Sequence, residues 1–187
     1  MYQPTDLKKG TIIQIDGEPF RVIEYSQKVM GRGGSIVNVR IKNLITGAVL
    51  PKTYKGQDKI EMAEVTTQNA QYLYSDGSSL FFMNPVTFDQ FDVSLDTAED
   101  VPKFITEGGE VQLQFFDGRV INVELPTSVV LNVAYTESVT KGDTTSSVQK
   151  DAQLNTGITI KVPSFIKTGD DIKVDTRDGS YTERIKG

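Results

Sequence analysis

The sequence contains no cysteine and no histidine. Their absence removes the thiol nucleophile, any disulfide framework, the side chain that titrates near neutral pH and the usual zinc ligands. Catalysis would have to rest on tuned carboxylates or lysines. The acidic residues are scattered along strand-like runs and turns, and none forms a recognisable active-site motif. The expectation is therefore a protein that is not an enzyme, with no metal site and no cofactor. The Gly-x-x-x-x-Gly-Lys-Ser/Thr phosphate loop is missing too. No run of eighteen apolar residues occurs, which excludes a membrane-spanning helix. The start, Met1-Tyr2-Gln3-Pro4-Thr5-Asp6, lacks the basic-then-apolar pattern of a signal peptide. A soluble cytoplasmic protein without a membrane partner is expected.

What the chain does contain is short alternating runs separated by tight-turn signals. Its 187 residues permit one large domain or two to three small ones. The net charge of −5 is unevenly spread: residues 1–64 hold 10 Lys/Arg against 7 Asp/Glu, and residues 65–187 hold 10 against 18. An acidic protein should not coat RNA indiscriminately, because nonspecific affinity comes from neutralising phosphates. The basic first segment still leaves room for docking at one site.

That segment contains the stretch that organises the chain, Lys28-Val29-Met30-Gly31-Arg32-Gly33-Gly34-Ser35. Alternating runs flank it: Phe20-Arg21-Val22-Ile23-Glu24-Tyr25 before and Ile36-Val37-Asn38-Val39-Arg40-Ile41 after. Such flanks predict a hairpin. Gly31, Gly33 and Gly34 free the tip backbone to turn tightly. Arg32 would then sit at the tip, permanently charged, with a planar fork of donors suited to phosphate. Lys28, Arg40 and Lys42 are candidate contacts to an RNA backbone. Arg40 and Lys42 lie two apart and share one face of a strand, which taken alone reads as a solvated face.

Three all-β segments are expected. Residues 1–64 read as five short strands of an SH3-like barrel, with a turn at Asp16-Gly17, and Pro51 marks an edge strand or a bulge. Residues 65–127 hold two hairpins, one turning at Asp76-Gly77 and one at Asp117-Gly118. Residues 97–105 suit one or two helical turns capped by Thr97. The aromatic pairs Tyr72/Tyr74 and Phe81/Phe82 are assigned to the core in preference to a base-stacking surface. Residues 128–187 open on a long alternating strand, pass through a polar loop containing Gly142-Asp143-Thr144, and end in a hairpin turning at Asp178-Gly179. The second and third segments both fit five-stranded oligonucleotide-binding (OB) folds.

The last segment carries the most specific pattern: Lys150, Ala152, Gly157, Ile160, Val162, Pro163, Ile166 and Gly169. With Lys173-Val174-Asp175-Thr176-Arg177, Gly179 and Tyr181, it resembles the C-terminal domain of the bacterial translation elongation factor P family. Lys141-Gly142-Asp143-Thr144, Gln71-Tyr72-Leu73-Tyr74 with Asp76-Gly77, and Asn43-Leu44-Ile45-Thr46-Gly47 extend the resemblance along the whole chain.

The resemblance implies an SH3-like, KOW-like N-terminal domain followed by two OB-fold domains, in an L shape similar to transfer RNA. It implies a monomeric factor acting on the 70S ribosome between the peptidyl and exit sites, with peptidyl-tRNA as its other partner. There it would relieve stalling at consecutive prolines by positioning the peptidyl-tRNA acceptor end. Arg32 falls at the tip near the peptidyl-transferase centre, and Gly142, Asp143 and Thr144 fall at the exit-site loop. The tip departs from the commonest pattern. Met30-Gly31-Arg32-Gly33 stands where many members read Pro-Gly-Lys-Gly with a β-lysyl extension, and a guanidinium does not take that modification. Arg32 is left with two states: rhamnosylated by a dedicated glycosyltransferase, or bare. The alternatives are an elongation factor P-like paralogue and a general single-strand RNA-binding protein.

Overall fold

The computed structural model describes residues 1–30, 34–138 and 149–185. Its architecture is almost entirely β, in three five-stranded sheets. The first has the order β4-β3-β2-β1-β5, with β1 at Ile12–Ile15, β2 at Glu18–Met30, β3 at Gly34–Asn43, β4 at Val49–Lys55 and β5 at Glu61–Met62. Asp16 and Gly17 both take positive φ, 52° and 82°, the geometry that joins β1 to β2 without splaying them. Pro51 lies in β4, an edge strand as expected, where a missing N–H interrupts no ladder.

The second sheet runs β10-β9-β6-β7-β8, from β6 (Thr66–Ser75), β7 (Ser79–Met83), β8 (Gln90–Ser94), β9 (Glu110–Phe116) and β10 (Arg119–Glu124). The third runs β13-β12-β11-β14-β15, from β11 (Ser128–Thr136), β12 (Gln149–Leu154), β13 (Thr159–Pro163), β14 (Asp171–Asp175) and β15 (Tyr181–Arg184). By packing, the chain divides into two compact units, Met1–Gln68 with Leu113–Asn122 and Asn69–Gln112 with Val123–Gly187.

Each core follows from strand alternation. On the first sheet Ile13, Phe20, Val22, Val37, Val39, Ile41 and Tyr54 pack as one cluster with Leu7 and Ile60 from outside its strands. In the second unit Leu131, Val133, Ala152, Leu154, Val162, Ile166, Ile172 and Val174 pack together, joined by Phe104. A Cβ added at Gly179 would stand 3.7 Å from Phe104 Cζ. The family-type residues Ala152, Val162 and Ile166 are thus core positions, each essentially unexposed.

Two expectations change. The helix is shorter than residues 97–105: α1 spans Val101–Phe104 with Asp100 as its N-cap. Thr97 caps nothing; its N–H donates to the Ser94 carbonyl in a preceding turn. The aromatic pairs also split. Tyr72 and Phe82 are buried, whereas Tyr74 is 49% exposed and stacks on Phe81 with centroids 4.6 Å apart. A bulge between Tyr72 and Tyr74 is the cause. It inserts Leu73 against the partner strand and sends Tyr74 to the face opposite Tyr72.

Candidate nucleic-acid interface

Among the described residues the β2–β3 hairpin is the longest pairing. Its register runs from Phe20↔Asn43 to Met30↔Gly34, with a bulge between Val22 and Glu24. Before the bulge Val22 faces the core; after it Tyr25 packs on the core and Glu24 points to solvent. On the far side β3 pairs with β4 from Lys42↔Val49 to Ile36↔Lys55. The β2–β3 ladder therefore continues two pairs, Val29↔Ser35 and Met30↔Gly34, beyond the last partner that β4 supplies. Of the tip residues, Gly34 closes the last described pair. Gly31, Arg32 and Gly33 lie outside the described residues.

The solvent face of this sheet is built in cross-strand rows. Nearest the tip, Lys28, Ile36 and Lys55 stand side by side on β2, β3 and β4. Lys28 and Lys55 are exposed, and among the described residues neither makes an ion pair. Behind them Ser26, Asn38 and Thr53 form the next row, where Thr53 Oγ1 donates to Asn38 Oδ1 at 2.8 Å. The third row sets Arg40 between Glu24 and Pro51. Arg40 Nη1 donates to Glu24 Oε1 at 2.8 Å, so its charge is partly answered within the sheet. Lys42 follows, exposed, in register with Arg21 and Val49.

Exposed lysines thus stand at both ends of the face, Lys28 and Lys55 nearest the tip and Lys42 at the foot, with the paired Arg40 between them. Adjacent strands lie about 4.8 Å apart, which spaces the Lys28 and Lys55 backbones by roughly 10 Å across Ile36. Two exposed lysines on backbones so spaced can each reach a separate phosphate of a nucleic acid strand.

Lys55 was not apparent from the sequence as part of this face. A lysine at the end of a mixed strand carries no signal until the β3–β4 register places it beside Ile36. Lys52 belongs to the same strand, and its Nζ lies 5.9 Å from the centroid of the Tyr54 ring. Burial pushes the Tyr54 phenol up, and nearby Asp58 adds to the shift.

The second candidate loop, with Gly142, Asp143 and Thr144, also lies outside the described residues. Its base is described, and it is firmly tied. Thr136, at the end of β11, is only 7% exposed. Its Oγ1 donates to the Asp151 carbonyl at 2.7 Å, and its N–H donates to Thr168 Oγ1 at 3.1 Å. Lys150 Nζ donates to the Glu137 carbonyl at 2.7 Å. A bulge between Val133 and Tyr135 turns Thr136 inward and leaves Tyr135 on the surface.

Among the described residues no group of His, Cys, Asp and Glu is arranged to hold a metal ion. No described helix is long and apolar enough to cross a membrane.

Three five-stranded sheets, almost without helix, define an all-β protein. Family models assign the rest. The model for the elongation factor P KOW-like domain matches residues 4–60, that for the elongation factor P OB domain residues 65–123, and that for the elongation factor P C-terminal domain residues 129–184. The chain is 39% identical to the elongation factor P of Nitratidesulfovibrio vulgaris, over 98% of this chain and all of that one. It is 40% identical to that of Caldanaerobacter subterraneus, over 96% of this chain and 97% of the relative. It is 43% identical to that of Aquifex aeolicus, over 96% and 94%. The chain belongs to the elongation factor P family of translation factors. It is grouped with translation factors rather than with classical enzymes.

Proposed function

We propose that this factor binds the ribosome between the peptidyl and exit sites and stimulates peptide-bond formation at consecutive prolines. The observation that carries the proposal is the likeness to elongation factor P along nearly the whole chain. The β2–β3 hairpin supports it: Lys28 and Lys55, exposed and without an ion pair among the described residues, stand at the end of the ladder that the sequence continues into Gly31-Arg32-Gly33. Proline is a poor nucleophile and a rigid donor, so reactive geometry is easily lost. Holding the acceptor end of peptidyl-tRNA contributes rate through orientation, without an acid or base from the factor. A chain without histidine and cysteine suits that role.

In this reading Arg32 approaches the peptidyl-transferase centre, bare or rhamnosylated by a dedicated glycosyltransferase. Gly142, Asp143 and Thr144 face the exit-site codon. The protein works as a monomer in the cytoplasm.

The test is reconstituted synthesis of a peptide with three consecutive prolines, comparing no factor, recombinant protein and Arg32→Ala. Relief of the stall by the parent and not by the variant is the expected result. Relief only by protein purified from its native source, with a matching mass increase, assigns the modified state. No relief by either form overturns the proposal. Asp143→Ala is expected to weaken the response without lowering the melting temperature.

A further inference from the structure

We propose that Asp58 is a positioning residue for the β2–β3 hairpin. It closes the turn after β4, and that turn braces Ser35, next to the last described pair of the ladder. The proposal deepens the stalling function and rests on that reading for its kinetic test.

The hairpin needs such a brace. A two-stranded ribbon without neighbours is only marginally stable in water. The β3–β4 pairing ends at Ile36↔Lys55, while the β2–β3 ladder runs on through Val29↔Ser35 and Met30↔Gly34. Arg32 lies four residues past Ile36 in the sequence, up to about 14 Å of chain. Angular play of the ribbon at Ile36 is therefore magnified at its far end. Where a factor contributes rate only through orientation, such play lowers the rate directly.

The turn after β4 reaches this weak span. A Cβ added at Gly56 would meet three atoms of Ser35: Oγ at 3.4 Å, the carbonyl oxygen at 3.5 Å and the backbone nitrogen at 3.6 Å. Gly56 is not at a positive φ, so its backbone path does not call for glycine. What the missing side chain provides is close approach of the turn to Ser35.

Asp58 fixes that turn. Its Oδ2 accepts from the Lys55 N–H at 2.7 Å, and its own N–H donates to the Lys55 carbonyl at 2.9 Å. Gly56 and Gln57 are held between these two bonds. Both ends of the turn are rooted in the core, through Tyr54 at 7% exposure and Ile60 at 3%. Ile60 is tied further to Tyr2, donating its N–H to the Tyr2 carbonyl at 2.9 Å and accepting the Tyr2 N–H at 2.7 Å. The brace thus runs from the packed core through Asp58 and Gly56 to Ser35.

The experiment compares Asp58→Ala and Asp58→Asn with the parent in the three-proline synthesis, over a range of factor concentrations. Asparagine keeps an oxygen for the Lys55 N–H and removes the charge; alanine removes both. Asp58→Ala is expected to lower the rate at saturating factor about tenfold, less than the roughly hundredfold that a misplacement of about 1 Å can cause. The half-saturating concentration should stay within about twofold. Asp58→Asn should match the parent in both quantities. Loss of rate in both variants or in neither overturns the proposal. So does a higher half-saturating concentration with the saturated rate intact.

A second construction guards against a variant that is simply unstable. The chain has no cysteine, so Ser35→Cys with Gly56→Cys places one bridge across the contact, at a separation a disulfide can span. Added to Asp58→Ala, the bridge should restore the saturated rate when oxidised and not when reduced. A rate that stays low with the bridge formed overturns the proposal. Backbone amide order parameters from NMR report without the ribosome. In Asp58→Ala they should fall at Val29 and Ser35 and hold at Val22 and Ile41; unchanged values at Val29 and Ser35 overturn the brace. A parent protein that relieves no stall removes the stalling function alone, since the order parameters still test the brace.

Discussion

Asn43 and Glu18 meet at the foot of the long hairpin, where Asn43 Nδ2 donates to Glu18 Oε2 at 2.6 Å. The asparagine is only 4% exposed. Its Oδ1 accepts from the N–H groups of Ile45 at 2.8 Å and Thr46 at 2.9 Å. The turn closes on Gly47 at φ 75°. One side chain therefore satisfies the turn that sends β3 into β4, and with it the register that sets Lys55 beside Ile36. Asn43→Ala is expected to cost about 1–3 kcal/mol, because it strands turn N–H groups that are partly buried. Urea denaturation measures it. A loss under about 0.5 kcal/mol, the range of an ordinary surface change, would show that the turn holds without the asparagine.

The fold was largely legible because its turns are written in residue types. Asp16-Gly17 and Asp117-Gly118 both adopt the positive-φ pairs that such dipeptides favour. Strand faces were less legible, and the bulges are the reason. Tyr72 and Tyr74 share a face in a regular strand, but the bulge between them puts one in the core and one on the surface. The same happens at Val22/Glu24 in β2 and at Val133/Tyr135 in β11. A bulge depends on the partner strand, so alternation along one segment does not announce it. The site was legible in part for a similar reason. Lys28, Arg40 and Lys42 stand close in sequence to Arg32, and that proximity is enough to nominate them. The Glu24 partner of Arg40 and the place of Lys55 depend on cross-strand register.

The Lys28–Ile36–Lys55 row predicts a salt-dependent contribution to ribosome binding. Removing both charges in a Lys28→Ala, Lys55→Ala protein should lower affinity at low salt. It should also reduce the slope of log affinity against log salt by about 1–2, close to one for each phosphate left without its cation. Both side chains are exposed, so stability should stay within about 0.5 kcal/mol. Filter binding or sedimentation across a salt series reads the slope. An unchanged slope removes the two lysines from the interface. Arg40→Ala should change the slope less, since Glu24 already answers that charge.

In the last hairpin Arg177 grips Asp175. Its Nε donates to Asp175 Oδ1 at 3.0 Å, Nη2 donates to Oδ2, and its own N–H donates to Oδ1 at 2.9 Å. The guanidinium bonds, followed by the backbone bond, hold the Asp175 carboxyl down to about 2. The unfolded chain should titrate near the usual value of about 3.9. The folded pKa is the lower one, so the stabilisation is fully present above about pH 4 and disappears as pH falls through about 2. Carboxyl NMR titration should find Asp175 ionised at pH 3, and Arg177→Ala should return its midpoint toward the usual range. A midpoint unchanged by that substitution would show that the backbone N–H alone sets it.

Phe88 sits at φ 61°, a conformation that a bulky residue rarely takes. Phe88→Gly separates the cost of a strained residue from its use. A left-handed conformation costs an ordinary residue on the order of 1–2 kcal/mol. Glycine adopts φ 61° freely but loses more chain entropy on folding, about 0.5–1 kcal/mol. The ring is 69% exposed, so little burial is forfeited when it is removed. The two backbone terms leave Phe88→Gly as stable as the parent, or more stable by up to about 1.5 kcal/mol. If the exposed ring anchors a partner, the same substitution should weaken ribosome binding while the melting temperature holds or rises. A fall in stability beyond about 1 kcal/mol would instead mean that the ring supports its own loop. Thermal melting and ribosome sedimentation on one preparation distinguish the two, because a structural ring predicts both quantities falling together and an anchoring ring predicts that they part.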